Sequence, residues 1–154
     1  MQSSFDNRQL QTLQRVESPF ATLTLTRTGT LAITTAGTVI TWQSKIRGLG
    51  ISWATTDITI PTAGYYMIQT RIATAAAVTL ATQIVLNTVI IGYFGNSYVA
   101  TTYHTGTMMR YFATGDTVQI RVIPSANTNI NQSAENTLTE SPFVHIAQLT
   151  AAVP

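Results

Sequence analysis

From Ser18 onward the chain alternates apolar and polar positions with a period of two. Leu23 and Leu25 are interleaved with Thr22, Thr24 and Thr26, and Val118, Ile120 and Val122 with Thr117, Gln119 and Arg121. Successive side chains of a strand point to opposite faces, so this alternation predicts strands with one dry and one wet face. Further strands are expected at 39–42, 46–53, 65–74, 78–86, 89–94, 107–112, 117–123 and 143–149, with turns at Gly37 and Gly48. Ile58 and Ile60 lead into Pro61, and the Asn/Ser-rich stretches 95–98 and 125–139 read as loops. Eight to ten short strands without a helix of consequence predict an all-β, antiparallel sandwich or jelly roll.

Three segments break the alternation by being apolar on both faces. They are Tyr65-Tyr66-Met67-Ile68, Met108-Met109 with Tyr111-Phe112, and Phe143-Val144 with Ile146. A strand of an antiparallel sandwich that is apolar on both sides needs a cover beyond its own second sheet. A partner subunit is the natural cover, irregular packing the plainer one. Residues 1–17 differ from the rest. Asp6 and Gln9 are spaced like a helix-capping pair, and Leu10, Leu13 and Val16 recur at roughly helical intervals. This segment is expected to be either a frayed tail or a docking arm, with Phe5, Leu10, Leu13 and Val16 as its apolar contacts. The jelly-roll domain is expected over 18–154.

Composition narrows the functional classes. Charged residues make up 9% of the 154, against about 25% in ordinary soluble proteins. Threonine fills much of the difference, a type at home on half-buried pleated surfaces. So few charges suit a surface largely covered in an assembly. The net charge of +2 is scattered singly along the chain, with no clustered basic stripe of the kind that binds phosphates, so nucleic acid is not an expected partner. There is no cysteine, which removes disulfides, thiolate metal sites and a cysteine nucleophile. The N-terminus has no apolar signal-peptide region. The apolar stretch 72–94 holds Thr79, Thr82, Gln83, Asn87 and Thr88 in alternation, and it reads as strands rather than a membrane span.

The run Pro61-Thr62-Ala63-Gly64-Tyr65-Tyr66 resembles the jelly-roll heads of the complement q-subcomponent and tumour necrosis factor superfamily. Ser18-Pro19-Phe20-Ala21 is similar to that family's first strand, Gly115-Asp116-Thr117-Val118 to its late Gly-Asp turn, and Ser141-Pro142-Phe143 to the start of its last strand. Asn87 stands where the family often has an Asn-Gly turn, with Thr88 in place of the Gly. The resemblance covers roughly 18–149. It implies about ten strands and a compact homotrimer, with the strand after the Pro-Gly turn and the last strand facing the three-fold axis. Tyr65, Met67, Met109, Tyr111, Val144 and Ile146 are the expected interface. The collagen-like stalk common in that family is missing, since no Gly-x-y repeat is present. Similar jelly rolls occur in phage proteins, and a threonine-rich, cysteine-free, stalkless chain fits that setting.

Candidate chemistry is sparse. His104 and His145 have no carboxylate or second ligand at metal spacing, so neither a metal nor a cofactor is expected. A Ser-His-Asp site would have to use Asp57 or Asp116 without a Gly-x-Ser-x-Gly elbow, and Asp116 reads better as a turn residue. Glu135 and Glu140 share a loop region and read as solvated charges. Asn131-Gln132-Ser133 is a glycosylation sequon that matters only in a eukaryotic secretory route. Tyr93, Phe94, Tyr98 and Tyr103 flank a polar stretch and form either a binding rim or edge-of-core packing. The expectation is therefore a non-enzymatic phage virion protein at the capsid surface, whose partners are its own copies and the major capsid protein. Met1 at the start is expected of a complete gene product. The alternative is a knob that recognises a host-surface glycan.

Overall fold

The computed structural model describes residues 20–96, 99–130 and 142–151, without the side chains of 94–96 and 151. Every described element is a strand: β1 (Thr22–Thr26), β2 (Leu31–Ile33), β3 (Thr38–Val39), β4 (Ser44–Leu49), β5 (Ser52–Ala54), β6 (Asp57–Thr59), β7 (Gly64–Val78), β8 (Leu80–Leu86), β9 (Val89–Asn96), β10 (Thr101–Phe112), β11 (Thr117–Pro124), β12 (Thr128–Ile130) and β13 (Phe143–Ala151). All paired strands are antiparallel.

The strands form two layers. In one, the long β7 pairs with β10 on one side and β13 on the other, while its far end meets β12 and β2. β1 continues this layer beside β13 through the Gln148 N–H to Ala21 carbonyl bond of 2.8 Å, and β4 pairs with β1 at the edge. The other layer runs β5-β6-β11-β8-β9, with β3 also on β11. Between them lies a core of fully buried side chains that includes Leu23, Leu25, Ile68, Ile72, Ile84, Phe112 and Ile120. Tyr66 meets Phe112 edge-on at 6.0 Å, and its hydroxyl donates to the Thr62 carbonyl at 2.7 Å. A buried ring with a satisfied hydroxyl adds both area and direction to the packing.

The motifs quoted above are joints of this sandwich. A Cβ at Gly64 would overlap the Thr150 carbonyl oxygen, so the start of β7 needs glycine to let β13 pass. Asp116 accepts from the Ala113 N–H at 2.8 Å and from the Asn87 side-chain amide at 2.8 Å, while Asn87 Oδ1 accepts from the Thr117 N–H at 2.8 Å. The carboxylate thus ties the β10–β11 turn to the β8–β9 hairpin. Asn87 and Thr88 both take positive φ, 47° and 73°, as a two-residue hairpin turn of the primed type requires. The turn forms without its glycine because Asn87 is held from three sides, but Thr88 sits where a β-branched residue is strained. Thr88→Gly should raise stability by about 1 kcal/mol, read as a higher urea midpoint with unchanged slope.

Elsewhere the expected boundaries shift. The expected turn at Gly48 lies inside β4, and the break falls at Gly50, with φ of 76°. β12 occupies part of a segment read as loop, and β10 begins six residues before its expected start. The stretch 72–94 is divided among β7, β8 and β9, and no helix among the described residues is long and apolar enough to cross a membrane.

Candidate functional site

The outward face of the β10-β7-β13-β1-β4 layer gathers four of the six expected interface residues. Met109 lies opposite Met67 and Tyr111 opposite Tyr65 in the β10–β7 register. Met109 is 67% exposed, Tyr65 52% and Tyr111 47%, and Met67 is half-buried. The Tyr65 and Tyr111 rings meet edge-on at 5.5 Å. Farther along, Thr107 faces Gln69 and Thr105 faces Arg71, and the Arg71 guanidinium lies 5.3 Å from the centre of the Tyr103 ring. Four large apolar or aromatic side chains in adjoining rows form a continuous patch of the kind that marks an interaction surface.

Val144 and Ile146 are placed differently. Both are fully buried inside the protomer, so they belong to its own core and cannot face a partner. The outward positions of β13 are Phe143, His145 and Ala147, opposite Arg71, Gln69 and Met67. The physical reason is the two-residue period: β13 is apolar on both faces, and only the register against β7 decides which set points in.

Beside β13 the face turns polar. Thr24, Ile46, Arg47, Gln69, Phe143 and His145 line a shallow pocket of about 220 Å³. Its shape depends on a bulge: Thr24 pairs with Arg47 and Leu25 with Lys45, which leaves Ile46 as the extra residue of β4. A bulge re-aims neighbouring side chains, and here Ile46 and Arg47 line the pocket together. The Thr24 hydroxyl and His145 Nδ1 are hydrogen-bonded at 2.8 Å. Burial, and after it the positive charge of Arg47, holds the His145 pKa below the usual histidine range. No sequence signal marks either feature: the register against β7 turns Phe143 and His145 outward, and the bulge leaves no pattern along β4.

The remaining candidates are scattered. His104 is buried, with Nε2 3.3 Å from the Thr74 hydroxyl. Burial lowers its pKa, partly offset by a hydrogen bond to the Thr101 backbone. Asp57 accepts from the side chains of Gln119 and Thr56. Among the described residues neither aspartate is bonded to a histidine, and no three His, Cys, Asp or Glu side chains cluster as a metal site requires. Tyr93, 58% exposed, lies on β9 and Tyr103, 47% exposed, on β10, at the edges of different layers. Tyr98, the Phe94 side chain, the arm residues Phe5, Leu10, Leu13 and Val16, the sequon at Asn131, Glu135 and Glu140 lie outside the described residues.

Layer order, the Pro61–Gly64 entry to β7 and the outward apolar face together define a jelly-roll sandwich of the tumour necrosis factor and complement type. Solved structures agree. The vertex protein P5 of phage PRD1 superposes with a TM-score of 0.67 at 10% identity, over 86% of this chain and 99% of that one. Eiger, the tumour necrosis factor of S. frugiperda, gives 0.63 at 14% identity over 88% and 96%. The globular domain of zebrafish complement 1qA gives 0.59 at 10% over 86% and 99%. No family model and no curated protein matches the sequence; the likeness is one of fold.

Proposed function

We propose that the chain assembles as a compact homotrimer and serves as a structural virion protein that decorates and cements a phage capsid, without catalysis. The observation that carries this reading is the patch of Tyr65, Met67, Met109 and Tyr111, exposed in the protomer on the face that the sequence marked for a partner. A three-fold ring joins unlike surfaces head to tail and closes on itself, so this patch meets a different face of the next protomer. The fold likeness to a phage vertex protein and the low charge of the chain support the virion setting.

In this reading residues 1–17 form the attachment arm. Burying Leu10, Leu13 or Val16 against a shell protein gains roughly 1.5–3 kcal/mol each before ordering costs, and ordering removes about 1–2 kcal/mol per residue fixed. One arm alone binds modestly; three on one trimer act together through high effective concentration. Deleting 1–17 should leave a folded trimer that no longer decorates particles in electron micrographs, where the full chain gives density on the shell. Density at the tail tip instead, or decoration that survives the deletion, would contradict the reading. The exposed rings of Tyr93 and Tyr103 favour the alternative, a glycan-recognising knob of a tail fibre or adhesin, and tail-tip density is its signature.

A further inference from the structure

We infer that the free edge of β9 is the second face of the seam, where Val89, Ile90 and Tyr93 receive the Tyr65–Met67–Met109–Tyr111 patch of the next protomer. The inference rests on the trimer proposed above and names the surface that the patch meets. A head-to-tail ring closes only when each protomer carries two unlike faces that fit one another. The patch is one of them, and the other has to lie elsewhere on the same chain.

Exposed apolar side chains single out β9. Outside the first layer, the large ones among the described residues are Val89, Ile90 and Tyr93 on β9, and Val99 just beyond it. β9 ends the second layer: β8 pairs with one side, and no described strand pairs with the other. Ile90 lies opposite Val85 and Tyr93 opposite Gln83, while Ile84 between them is fully buried in the core. Ile90 and Tyr93 therefore project from the outer side of the layer, at its rim. Natural sheets guard an open edge with charge, and one left apolar is an aggregation site. The outer strand of the first layer, β4, carries Lys45 and Arg47. β9 has no charged residue along Val89–Asn96. An unguarded edge of this kind is suited to being covered.

Position points to the same pairing. Each protomer of a three-fold ring fills a third of a circle, so its two contact faces adjoin at the axis. β9 and β10 are neighbours around the rim of the sandwich, where the Arg110 side chain of β10 donates to the Ile91 carbonyl at 3.3 Å. Met109 and Tyr111 flank Arg110 and stand exposed on the outward face, so the patch and the β9 edge meet at this corner. The patch and the three β9 side chains are all uncharged, as suits the dry centre of an interface, where aromatic residues and Met are enriched.

The test is sedimentation of the full-length chain and its variants at micromolar concentration, with far-ultraviolet spectra as the check on folding. Ile90→Glu and Tyr93→Glu each add a carboxylate that water solvates in the free protomer and that the seam would strip. Each should raise the concentration needed for assembly by about a hundredfold or more. Ile90→Arg should do the same. Ile90→Arg together with Tyr111→Glu should recover about tenfold or more of the loss, because opposite charges then face each other across every seam. In the unmodified assembly, hydroxyl radicals should oxidise the Tyr93 ring several times more slowly than in the Tyr111→Glu chain, a measurement that needs no change on β9. An unmodified chain that sediments as a monomer would remove the trimer itself, and this inference with it. A trimer that survives Ile90→Glu and Tyr93→Glu, or whose Tyr93 ring oxidises at the monomer's rate, would leave the trimer standing and overturn the β9 seam. A double variant that assembles no better than Tyr111→Glu alone would overturn the pairing of β9 with the patch.

Discussion

Tyr111→Glu should turn the assembly into folded monomers. In the isolated protomer Tyr111 is 47% exposed, beside Tyr65 and next to the Met109–Met67 pair. A carboxylate there is solvated in the free chain and adds little to the cost of folding it. In a closed trimer the same carboxylate would be buried in the seam, and an uncompensated buried charge costs about 3–5 kcal/mol. The seam recurs three times in the ring, so the penalty recurs with it. The expected result is a sedimentation pattern of a single 16.7 kDa chain with an unchanged far-ultraviolet spectrum and a lower thermal transition, because association no longer adds to the stability of the folded chain. Met67→Glu should do the same. A variant that still assembles would place the seam elsewhere on the molecule.

Ile146→Ala should have the opposite profile. Ile146 is fully buried opposite Ile68 in the β13–β7 register, within the protomer's own core. Removing its outer carbons forfeits their transfer energy and leaves a cavity, for which about 2–5 kcal/mol is typical. Against a total of roughly 5–15 kcal/mol for a domain of this kind, that is a large share. The urea midpoint should fall sharply, and assembly should be lost only where the chain itself unfolds. Met109→Ala, two-thirds exposed on the other face, should leave the midpoint of a monomeric background almost unchanged. The pair separates a core position from a surface one on strands that read alike in sequence.

That likeness explains what the sequence made legible. The clean alternation at 117–123 places β11 within one residue of its observed bounds, Thr117–Pro124, because one wet face fixes the register. Strands apolar on both sides carry no such mark. Of the expected interface residues, Tyr65, Met67, Met109 and Tyr111 lie on the outward face, whereas Val144 and Ile146 are buried within the protomer. Only pairing with β7 resolves the parity of β13. The three-residue strands β2 and β12 leave no pattern because they are ladder extensions of longer neighbours, with too few positions to show a period. The pocket is illegible for a related reason: a one-residue bulge in β4 brings Ile46 and Arg47 to one cavity, where strict alternation would separate them. Gly64 is legible as part of a motif, but its cause, the passage of the Thr150 carbonyl, is a contact across the sheet that sequence spacing does not contain.

The most direct test of the assembled state is the mass of the unmodified chain in solution, measured by sedimentation equilibrium at micromolar concentration. A single species at three times 16.7 kDa is expected, independent of concentration across that range. A stable species with the mass of one chain, its Tyr65–Tyr111 face open to water, would contradict it.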